Sequence, residues 1–471
     1  MRILFPAAEV APFSKTGGLA DVAGALPKAL ARLGHEVLVV TPWYAKLGGG
    51  VPPYWVGDVA SPFDRGFEPV GVGVLEDDVP GTGSVRYAFV GHQDFRRAKP
   101  YGYPDDARRF ARFSRAVPSV AERLAFAPDL VHAHDWHTGY LPMILARGWH
   151  LPPGFPGLRS VFTVHNVQYQ GESGLEDAVR WLRLGPDLMG SYLDHFGRAN
   201  AMQAGVGFAT RVTTVSPTYA EEIQTPEYGY SLDGTFRSLS GKLTGILNGI
   251  DTDVWDPARD PTLPEPYSAA DLAGKSAAKR ELTRRFGLDA RRPLLAVVSR
   301  LAEQKGMDLL IAAAPRLLEQ GWSLVVLGAG DPGLEEGVSD LARARGGLVG
   351  AHIGYAEDLA HLVYAGADAL AVPSRFEPCG LSQLIAMRYG TVPIVRATGG
   401  LKDTVRHGAT GFVFEHGTSA GLEWAAGEAL AAYGTPAWRR IQATGMAADR
   451  SWQASAAAYS ALYESVLRSW V

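Results

Sequence analysis

The sequence predicts an α/β protein made of two parallel-sheet domains, and three observations carry this prediction. Residues 2–41 read as strand, glycine-containing loop, helix and strand, which is a βαβ unit opening a parallel sheet. Residues 257–266 are rich in proline, and the alternation of strands and helices begins again near Pro293. The motif Thr-Gly-Gly-Leu-x-Asp occurs at residues 16–21 and again at 398–403. We therefore expect two Rossmann-like domains that face each other across an active-site cleft.

The domain boundaries follow from the same pattern. The N-terminal domain is predicted over residues 1–245 and the C-terminal domain over residues 246–454. A C-terminal helix, residues 455–471, is expected to pack back on the N-terminal domain. Residues 51–115 are rich in glycine, proline and aromatic residues, and they predict strands and long connections beside the main sheet.

Composition excludes several classes of protein. The 471 residues carry 45 Lys plus Arg against 49 Asp plus Glu, which gives no support to a general nucleic-acid or membrane-surface binder. The single cysteine, Cys379, excludes an internal disulfide framework and a cysteine-based metal site. No apolar run approaches the roughly 18 residues that span a bilayer, and no signal peptide is read at the N-terminus. The predicted location is the cytoplasm.

The loop at residues 373–381, Pro-Ser-Arg-Phe-Glu-Pro-Cys-Gly-Leu, lies between a predicted strand and a predicted helix. Gly380 allows a backbone to approach a ligand, and the start of the helix offers N–H groups to an anion. Glu377 is then a carboxylate beside a phosphate site. Taken alone, Glu377 also fits an ordinary carboxylate at a helix start.

Three cations, Lys15, Arg300 and Lys305, occupy strand-end or glycine-turn loops of different βα units. A diphosphate leaving group develops negative charge as its bond to a sugar breaks, and fixed cations stabilise that charge without a metal. Glu377 would accept hydrogen bonds from sugar hydroxyls and stabilise an oxocarbenium-like centre. By itself, Lys15 fits a lysine in a surface loop equally well.

Polar residues also end two strands of the first half. The run His-Ala-His-Asp-Trp-His at residues 132–137 permits a metal-dependent hydrolase site, although no further ligand run completes it. Because strand ends of a parallel sheet point at the ligand, a sugar site that uses Asp135 explains the run more simply. His165 and Asn166 end the next strand, and His165 is expected to bind hydroxyls of the same sugar.

Two features of the second half of the chain are candidates for nucleotide binding. Residues 328–333, Gly-Ala-Gly-Asp-Pro-Gly, satisfy Gly-x-Gly-x-x-Gly behind a strand, but no acidic residue clearly follows about 20 residues on, so a plain turn stays open. Tyr355 offers a flat face to a base, with core packing as the alternative.

The sequence resembles the bacterial glycogen synthase and starch synthase family, retaining glucosyltransferases of the GT-B architecture. The matching motifs run through nearly the whole chain in the order of that family. They are Lys15-Thr-Gly-Gly-Leu-Ala-Asp-Val, His132-Ala-His-Asp-Trp-His, Thr163-Val-His-Asn, Val215-Ser-Pro-Thr-Tyr-Ala, Ile246-Leu-Asn-Gly-Ile-Asp, Arg300-Leu-x-x-Gln-Lys-Gly and residues 373–381.

The resemblance implies transfer of glucose from ADP-glucose to the non-reducing 4-hydroxyl of an α-1,4-glucan, with retention of configuration. It implies no metal ion and no cofactor beyond the donor substrate, and two domains that close around the donor. It also implies glycogen or another α-1,4-glucan as the partner, with no nucleic acid and no membrane. The preference for ADP-glucose over UDP-glucose and the oligomeric state do not follow from the residues.

The family's site residues map onto this sequence as follows. The catalytic set is Glu377, His165, Asp135, Lys15, Arg300 and Lys305. The donor-binding set is Lys15, Gly18, Asn166, Asn248, Arg300, Lys305, Tyr355, Cys379, Gly380, Leu381 and Ser382, with Tyr355 stacked on adenine.

Some positions depart from the family pattern. Met202-Gln203 stands where relatives usually carry Leu-Lys, and the tail has Asp-Arg-Ser-Trp at residues 449–452 where Asp-Phe-Ser-Trp is common. These departures concern acceptor contacts. Three alternatives remain: a retaining enzyme that makes a disaccharide, a metal-dependent hydrolase built on His132, His134 and His137, and a glucan-binding protein without catalysis.

Overall fold

The computed structural model of the protein describes residues 1–50, 52–77, 83–185 and 191–468. The chain divides into two compact units. Unit 1 contains residues 1–248 and 452–471, and unit 2 contains residues 249–451. This division differs by a few residues from the boundaries predicted from the sequence.

Unit 1 is organised around one large sheet. Its strand order is β12-β11-β7-β6-β1-β2-β5-β4-β3, parallel except at the β5-β4-β3 end, and β8, β10 and β9 form a separate small sheet. The strands are β1 Arg2–Pro6, β2 Glu36–Pro42, β3 Tyr54–Phe63, β4 Gly66–Asp77, β5 Ser84–Gly91, β6 Leu130–His134, β7 Ser160–Val164, β8 Glu172–Gly174, β9 Asp194–His195, β10 Arg198–Asn200, β11 Arg211–Thr214 and β12 Leu243–Gly245.

Helices cover this sheet, and the last helix of the chain returns to it. The helices are α1 Gly18–Arg32, α2 Asp106–Arg123, α3 Tyr140–Arg147, α4 Leu175–Trp181, α5 Ala201–Phe208, α6 Pro217–Glu222 and α7 Asp233–Ser238, and the last helix of the chain is Trp452–Arg468. Trp452, Tyr459 and Tyr463 of that helix are buried in one cluster with Ile3 and Phe5 of β1. Each such burial is worth roughly 1.5–3 kcal/mol. The last three residues of the predicted helix, 469–471, lie outside the described part of the chain.

Residues 51–115 were only partly predicted. Their strands, β3 to β5, extend the main sheet itself, and a helix, α2, follows them. The sequence pattern did not indicate α2, because the buried face of this helix contains arginines. Arg109 and Arg112 are at most 2% exposed, and Arg112 pairs with Glu68 and Asp94, so burial of its charge is compensated.

Unit 2 carries a six-stranded parallel sheet in the order β15-β14-β13-β16-β17-β18. These strands are β13 Leu294–Val298, β14 Ser323–Gly328, β15 Val349–Ile353, β16 Ala369–Val372, β17 Val392–Arg396 and β18 Phe412–Phe414. The helices are α8 Ala273–Phe286, α9 Met307–Gln320, α10 Pro332–Ala344, α11 Glu357–Gly366, α12 Ser382–Arg388, α13 Gly399–Thr404, α14 Ser419–Ala432 and α15 Pro436–Ala447; the helix Trp452–Arg468 is α16.

Apolar clusters lie on both faces of the unit 2 sheet, as expected for parallel strands that helices cover on both sides. The prediction of two Rossmann-like domains is therefore confirmed. Among the described residues, no helix is both long and apolar enough to cross a membrane.

Candidate functional site

The loop between β1 and α1 is held by the carboxylate of Glu9. Glu9 is 1% exposed, and its oxygens accept hydrogen bonds from the backbone N–H groups of Thr16 and Gly17, the latter at 3.1 Å. Burial raises the pKa of Glu9 to about 7, although hydrogen bonds from Thr16 and Tyr101 oppose the shift. The glycine turn is thus fixed by an acid that lies beneath it.

The same turn carries two of the predicted donor-binding residues. Lys15 Nζ lies 2.6 Å from Asp21 Oδ1 in the first turn of α1, so its ammonium group is held at the helix start. α1 begins at Gly18, where a Cβ atom would meet open space. Gly18 therefore lets a ligand approach the backbone at the start of α1.

Asp135 follows β6 directly and has a strained backbone, with φ of +54°. Its Oδ1 accepts hydrogen bonds from the N–H groups of His165 at 2.7 Å and Asn166 at 3.4 Å. Burial raises the pKa of Asp135 to about 7, and the nearby Glu9 charge acts in the same direction. The ends of β6 and β7 are thereby joined through one carboxylate.

His165 pairs with a second histidine. Its Nε2 lies 3.0 Å from Nδ1 of His134, and both rings are buried. Burial lowers the pKa of His165 to about 3, so the ring is neutral at physiological pH. One nitrogen of this pair must donate and the other accept, which fixes the orientation of the His165 ring.

The rings of the histidines considered for a metal pack against aromatic side chains of the protein. His132 Nε2 lies 2.6 Å from the Thr163 hydroxyl and Nδ1 lies 2.7 Å from the Tyr463 hydroxyl. The ring of His137 lies 4.6 Å from that of Phe110, centroid to centroid. Within the described ranges, no group of three or more His, Cys, Asp or Glu side chains is arranged to hold a metal ion. The contacts of His132 are those of a core residue.

In unit 2, the buried Glu377 forms an ion pair with the half-buried Lys305. Lys305 Nζ lies 2.8 and 2.6 Å from the two carboxylate oxygens, and the Ser374 hydroxyl donates to Oε2 at 2.8 Å. Glu377 is 6% exposed. Lys305 comes from the loop after β13 and Glu377 from the loop after β16, and these strands are neighbours in the sheet. A cation and a carboxylate are thus in contact at the carboxyl-terminal edge of the unit 2 sheet.

The rest of the 373–381 loop is fixed through its backbone. Gly380 has φ of +74°, which favours glycine. The Gln383 side chain donates to the carbonyl groups of Cys379 at 3.0 Å and Gly380 at 2.9 Å, and the Gly400 N–H donates to the Glu377 carbonyl at 3.1 Å. Leu381 precedes α12, which begins at Ser382, so the predicted donor-binding backbone is a rigid turn into a short helix.

Arg300 lies in the same loop as Lys305 but is exposed, with Nη2 donating to Gln304 at 2.9 Å. The glycine run at residues 328–333 packs against this loop, because a side chain at Gly328 would collide with the Ser299 carbonyl. Asp331 then caps α10 by accepting from Gly333 at 2.9 Å. The run therefore packs as a tight turn beside Arg300.

Two further predicted residues differ in exposure. Asn248 is 8% exposed and lies just beyond β12. Tyr355 lies just beyond β15 and is 75% exposed, with its hydroxyl 3.2 Å from Glu357 Oε2. The core-packing alternative for Tyr355 is therefore wrong, because most of its side chain is exposed.

All the predicted site residues follow parallel strands at their carboxyl ends, where open α/β sheets bind ligands. Sequence reasoning missed Glu9, His134 and Ser374, which hold the predicted residues in place. Spacing alone did not identify Glu9, because its partners are backbone groups seven and eight residues along the chain.

Two Rossmann-like units whose strand ends combine cations, carboxylates and histidines define a glycosyltransferase of the GT-B class. Residues 2–238 match the family model "Starch synthase catalytic domain", and residues 278–437 match "Glycosyl transferases group 1". The chain belongs to the glycogen synthase and starch synthase family, and it is a glycosyltransferase.

Curated relatives agree over the full length. A glycogen synthase of Deinococcus deserti is 47% identical over 475 residues, covering 99% of this chain and 100% of that protein. A glycogen synthase of Thermus thermophilus is 45% identical over 475 residues, with the same coverage.

Two solved structures are also similar. The catalytic domain of starch synthase IV from Arabidopsis thaliana, bound to ADP and acarbose, has a TM-score of 0.91 and 35% identity, covering 99% of each chain. Sucrose-phosphate synthase from Thermosynechococcus elongatus has a TM-score of 0.64 at 18% identity, again covering 99% of each chain, and its likeness shows the fold alone.

Proposed function

We propose that this glycosyltransferase moves glucose from ADP-glucose to the non-reducing 4-hydroxyl of an α-1,4-glucan, with retention of configuration and without a metal ion or cofactor. The observation that carries the proposal is the Lys305–Glu377 ion pair, which places a cation and a carboxylate together at the ends of two neighbouring strands. A nucleotide sugar needs both, because its diphosphate is anionic and its sugar carries hydroxyl groups.

The cations serve the leaving group. As the bond from glucose to the diphosphate breaks, negative charge develops on the phosphate oxygen. Lys305 and Arg300, both in the loop after β13, supply positive charge for ADP. Lys15 is proposed as a further cation for the diphosphate. Since Lys305 is already held by Glu377, it needs little reorganisation when the charge develops.

The carboxylate serves the sugar. Glu377 accepts hydrogen bonds from glucose hydroxyls while its charge stabilises positive charge at the anomeric carbon. Cys379, Gly380, Leu381 and Ser382 supply backbone N–H groups for phosphate and hydroxyl oxygens. Tyr355, with its exposed ring, stacks on adenine.

His165 and Asp135 are proposed to lie beside the glucose of the donor. His165 is neutral and fixed by His134, so it contacts a hydroxyl without adding charge. Asp135 lies at the adjoining strand end and fixes the backbone of His165 and Asn166. Asn248 is predicted to bind the same donor.

The choice of donor and acceptor rests on the relatives. Those compared are named glycogen synthase, and the Arabidopsis catalytic domain is bound to ADP and acarbose. The single cysteine is in keeping with a reducing compartment, so the cytoplasm is the proposed location.

The decisive experiment offers ADP-glucose and UDP-glucose side by side, each with labelled glucose, to glycogen in the presence of EDTA. Label should enter glycogen from ADP-glucose at an undiminished rate with the chelator. Loss of transfer with EDTA, restored by added divalent metal, would overturn the metal-free mechanism. Absence of transfer from any nucleotide glucose would overturn the function.

A disaccharide-forming reaction is the alternative function within the same fold. This alternative predicts transfer to a small acceptor and none to glycogen. The same assay with small acceptors separates the two. We expect transfer to glycogen and maltooligosaccharides alone.

A further inference from the structure

His134 of unit 1 is a buried histidine that the proposed reaction does not use directly. It is the last residue of β6 and is fully buried. Its Nδ1 lies 3.0 Å from Nε2 of His165, which directly follows the neighbouring strand β7. Within the described part of the chain, this is the hydrogen bond that each of the two rings makes. The contact therefore determines which nitrogen of each ring carries the proton.

Both rings are neutral. Burial lowers the pKa of His165 to about 3 and that of His134 well below its ordinary value. A neutral imidazole has one N–H, so one of its nitrogens donates and the other accepts. Two arrangements fit the contact: either His134 Nδ1–H donates to His165, or His165 Nε2–H donates to His134.

The surroundings of His134 Nε2 separate these two arrangements. This nitrogen is fully enclosed, and it has no hydrogen-bond partner among the described residues. The rings of Phe5 and His132 have their centroids 4.2 and 4.1 Å from that of His134, so they stack on its faces and do not meet its edge. If His165 were the donor, the proton of His134 would be an unpaired N–H on Nε2. Folded proteins leave a buried N–H unpaired more rarely than an acceptor, so the proton of His134 is on Nδ1.

The opposite nitrogen of His165 is then a donor. Because Nε2 accepts from His134, the proton of the neutral His165 ring is on Nδ1. Among the described residues Nδ1 has no partner either, but unlike His134 Nε2 it is not a fully enclosed atom. His165 keeps 9% exposure at the carboxyl end of the sheet. An N–H of fixed direction is thus accessible at this strand end.

We propose that His134 is the positioning residue that holds His165 in its Nδ1–H tautomer, and that this N–H donates to a hydroxyl oxygen of the donor glucose. An uncharged N–H suits a hydroxyl group, whereas a phosphate is bound more strongly by a charged donor. The choice of glucose as the ligand rests on the proposed function, and the tautomer does not.

The tautomer has a consequence for donor selection. Without His134, the ring of His165 is free to carry its proton on either nitrogen. The tautomer with a bare Nδ1 cannot donate to the sugar, so recognition of one hydroxyl is weakened. A neutral hydrogen bond of this kind changes kcat/KM by roughly two- to tenfold. The expected defect is therefore lost discrimination for one hydroxyl, while transfer of glucose continues.

The first test measures the tautomer in the full-length wild type, using isotope-labelled histidine and nitrogen NMR spectroscopy. Protonated and unprotonated ring nitrogens differ widely in chemical shift, and His165→Asn assigns the His165 signals by their loss. We expect the proton on Nδ1 in both His134 and His165. A wild-type proton on Nε2 of His165 would overturn the proposal, and this measurement does not depend on the folding of the His134 variants.

The second test compares ADP-glucose with its singly deoxygenated analogues as donors, in the wild type and in His134→Phe. Because the two proteins are compared on the same analogue, the inductive effect of the missing oxygen cancels. For one analogue, the penalty in kcat/KM should shrink by roughly two- to tenfold in His134→Phe, and the other penalties should stay unchanged. A population of His165 with its proton on Nε2 should appear in the same variant. His134→Asn, whose amide N–H replaces Nδ1–H, should restore the wild-type pattern.

His361→Phe is the matched control, because His361 is a buried histidine of unit 2 whose Nδ1 lies 2.7 Å from Asp260. It should lower stability and leave the His165 tautomer and the donor penalties unchanged. Equal changes in the two Phe variants would overturn the proposal, since lost stability would explain both. Wild-type penalties in a folded His134→Phe would overturn it as well. A wild type that has the expected tautomer but transfers glucose from no nucleotide donor would overturn the proposed function alone.

Discussion

Glu9 in unit 1 and Glu377 in unit 2 occupy comparable places and are stabilised in opposite ways. Each follows a parallel strand, each is buried, and each lies beside a glycine turn. Glu9 accepts hydrogen bonds from uncharged groups, chiefly the N–H groups of Thr16 and Gly17. Glu377 is bonded through both oxygens to the ammonium group of Lys305.

The difference separates two uses of a buried carboxylate. Without a partner cation, burial favours the protonated form, and the pKa of Glu9 rises to about 7. Such a group holds a loop and makes its stability depend on pH. Glu377 instead has a lysine partner, in the loop where we propose that the sugar binds. We therefore assign Glu9 to positioning and Glu377 to chemistry.

The largest expected effect comes from Glu377→Gln, which keeps the shape of the side chain and removes its charge. We expect kcat for glucose transfer to fall by about 10²- to 10³-fold, the usual loss for one preorganised electrostatic group. ADP should still bind, because Lys305 remains. Steady-state kinetics and calorimetric titration with ADP measure the two quantities.

Lys305→Ala completes this test. It should weaken ADP binding and turnover together, whereas Lys46→Ala, at an exposed lysine of unit 1, should change neither. The double variant of Lys305 and Glu377 should lose less than the product of the single losses, because the groups are bonded. Full activity in Glu377→Gln would show that the pair is only structural. A wild type that binds glycogen without transferring glucose would favour a glucan-binding protein without catalysis.

A smaller effect is expected from Glu9→Gln, and it should appear in the pH dependence of stability. The pKa of Glu9 rises from 4.5 to about 7 on folding, so between these values the folded chain binds more protons than the unfolded chain. The free energy of unfolding must then fall as pH rises from 5 to 8, by on the order of 3 kcal/mol for this group. Glu9→Gln should flatten that fall, as measured by denaturant unfolding.

Asp135 titrates in the same direction, but it is present in both proteins, so the difference between their pH profiles reports Glu9. Glu36→Gln removes an exposed carboxylate at the start of β2 and should leave the profile unchanged. Identical profiles for the wild type and Glu9→Gln would contradict the assignment. The amide also replaces one acceptor oxygen with a donor, so the KM for ADP-glucose should rise severalfold.

The sequence predicted the fold well because its signals are local. Each signal depends on residues that are neighbours in the sequence: the first βαβ unit, the second series of strands and helices that begins near Pro293, and the repeated glycine motif. The helix α2 was missed because its arginines are buried through partners that only the fold supplies, such as Glu68 for Arg112. Whether a charged side chain is buried depends on the tertiary structure, so the hydrophobic periodicity of the sequence does not indicate it.

In the candidate site, too, residues with local signals were predicted and contacts between distant residues were not. Lys15, Asp135 and Glu377 could be predicted because each follows a strand and carries the group that the proposed chemistry requires. The residues that hold them come from distant positions: Lys305 is 72 residues from Glu377, and His134 is 31 residues from His165. The direct bond between Lys305 and Glu377 was not predicted, since the sequence placed both at the donor but not in contact.

The smallest effect is expected at Tyr355, which tests whether unit 2 binds the base as well as the phosphates. Its ring is 75% exposed just beyond β15, and its hydroxyl bonds only weakly to Glu357 at 3.2 Å. Tyr355→Ala should raise the KM for ADP-glucose about three- to tenfold through lost stacking, with kcat nearly unchanged. Tyr355→Phe keeps the ring and should behave as the wild type in the same kinetic assay. If both variants were impaired alike, the hydroxyl rather than the ring face would be the contact, and if neither were, adenine would be bound elsewhere in unit 2.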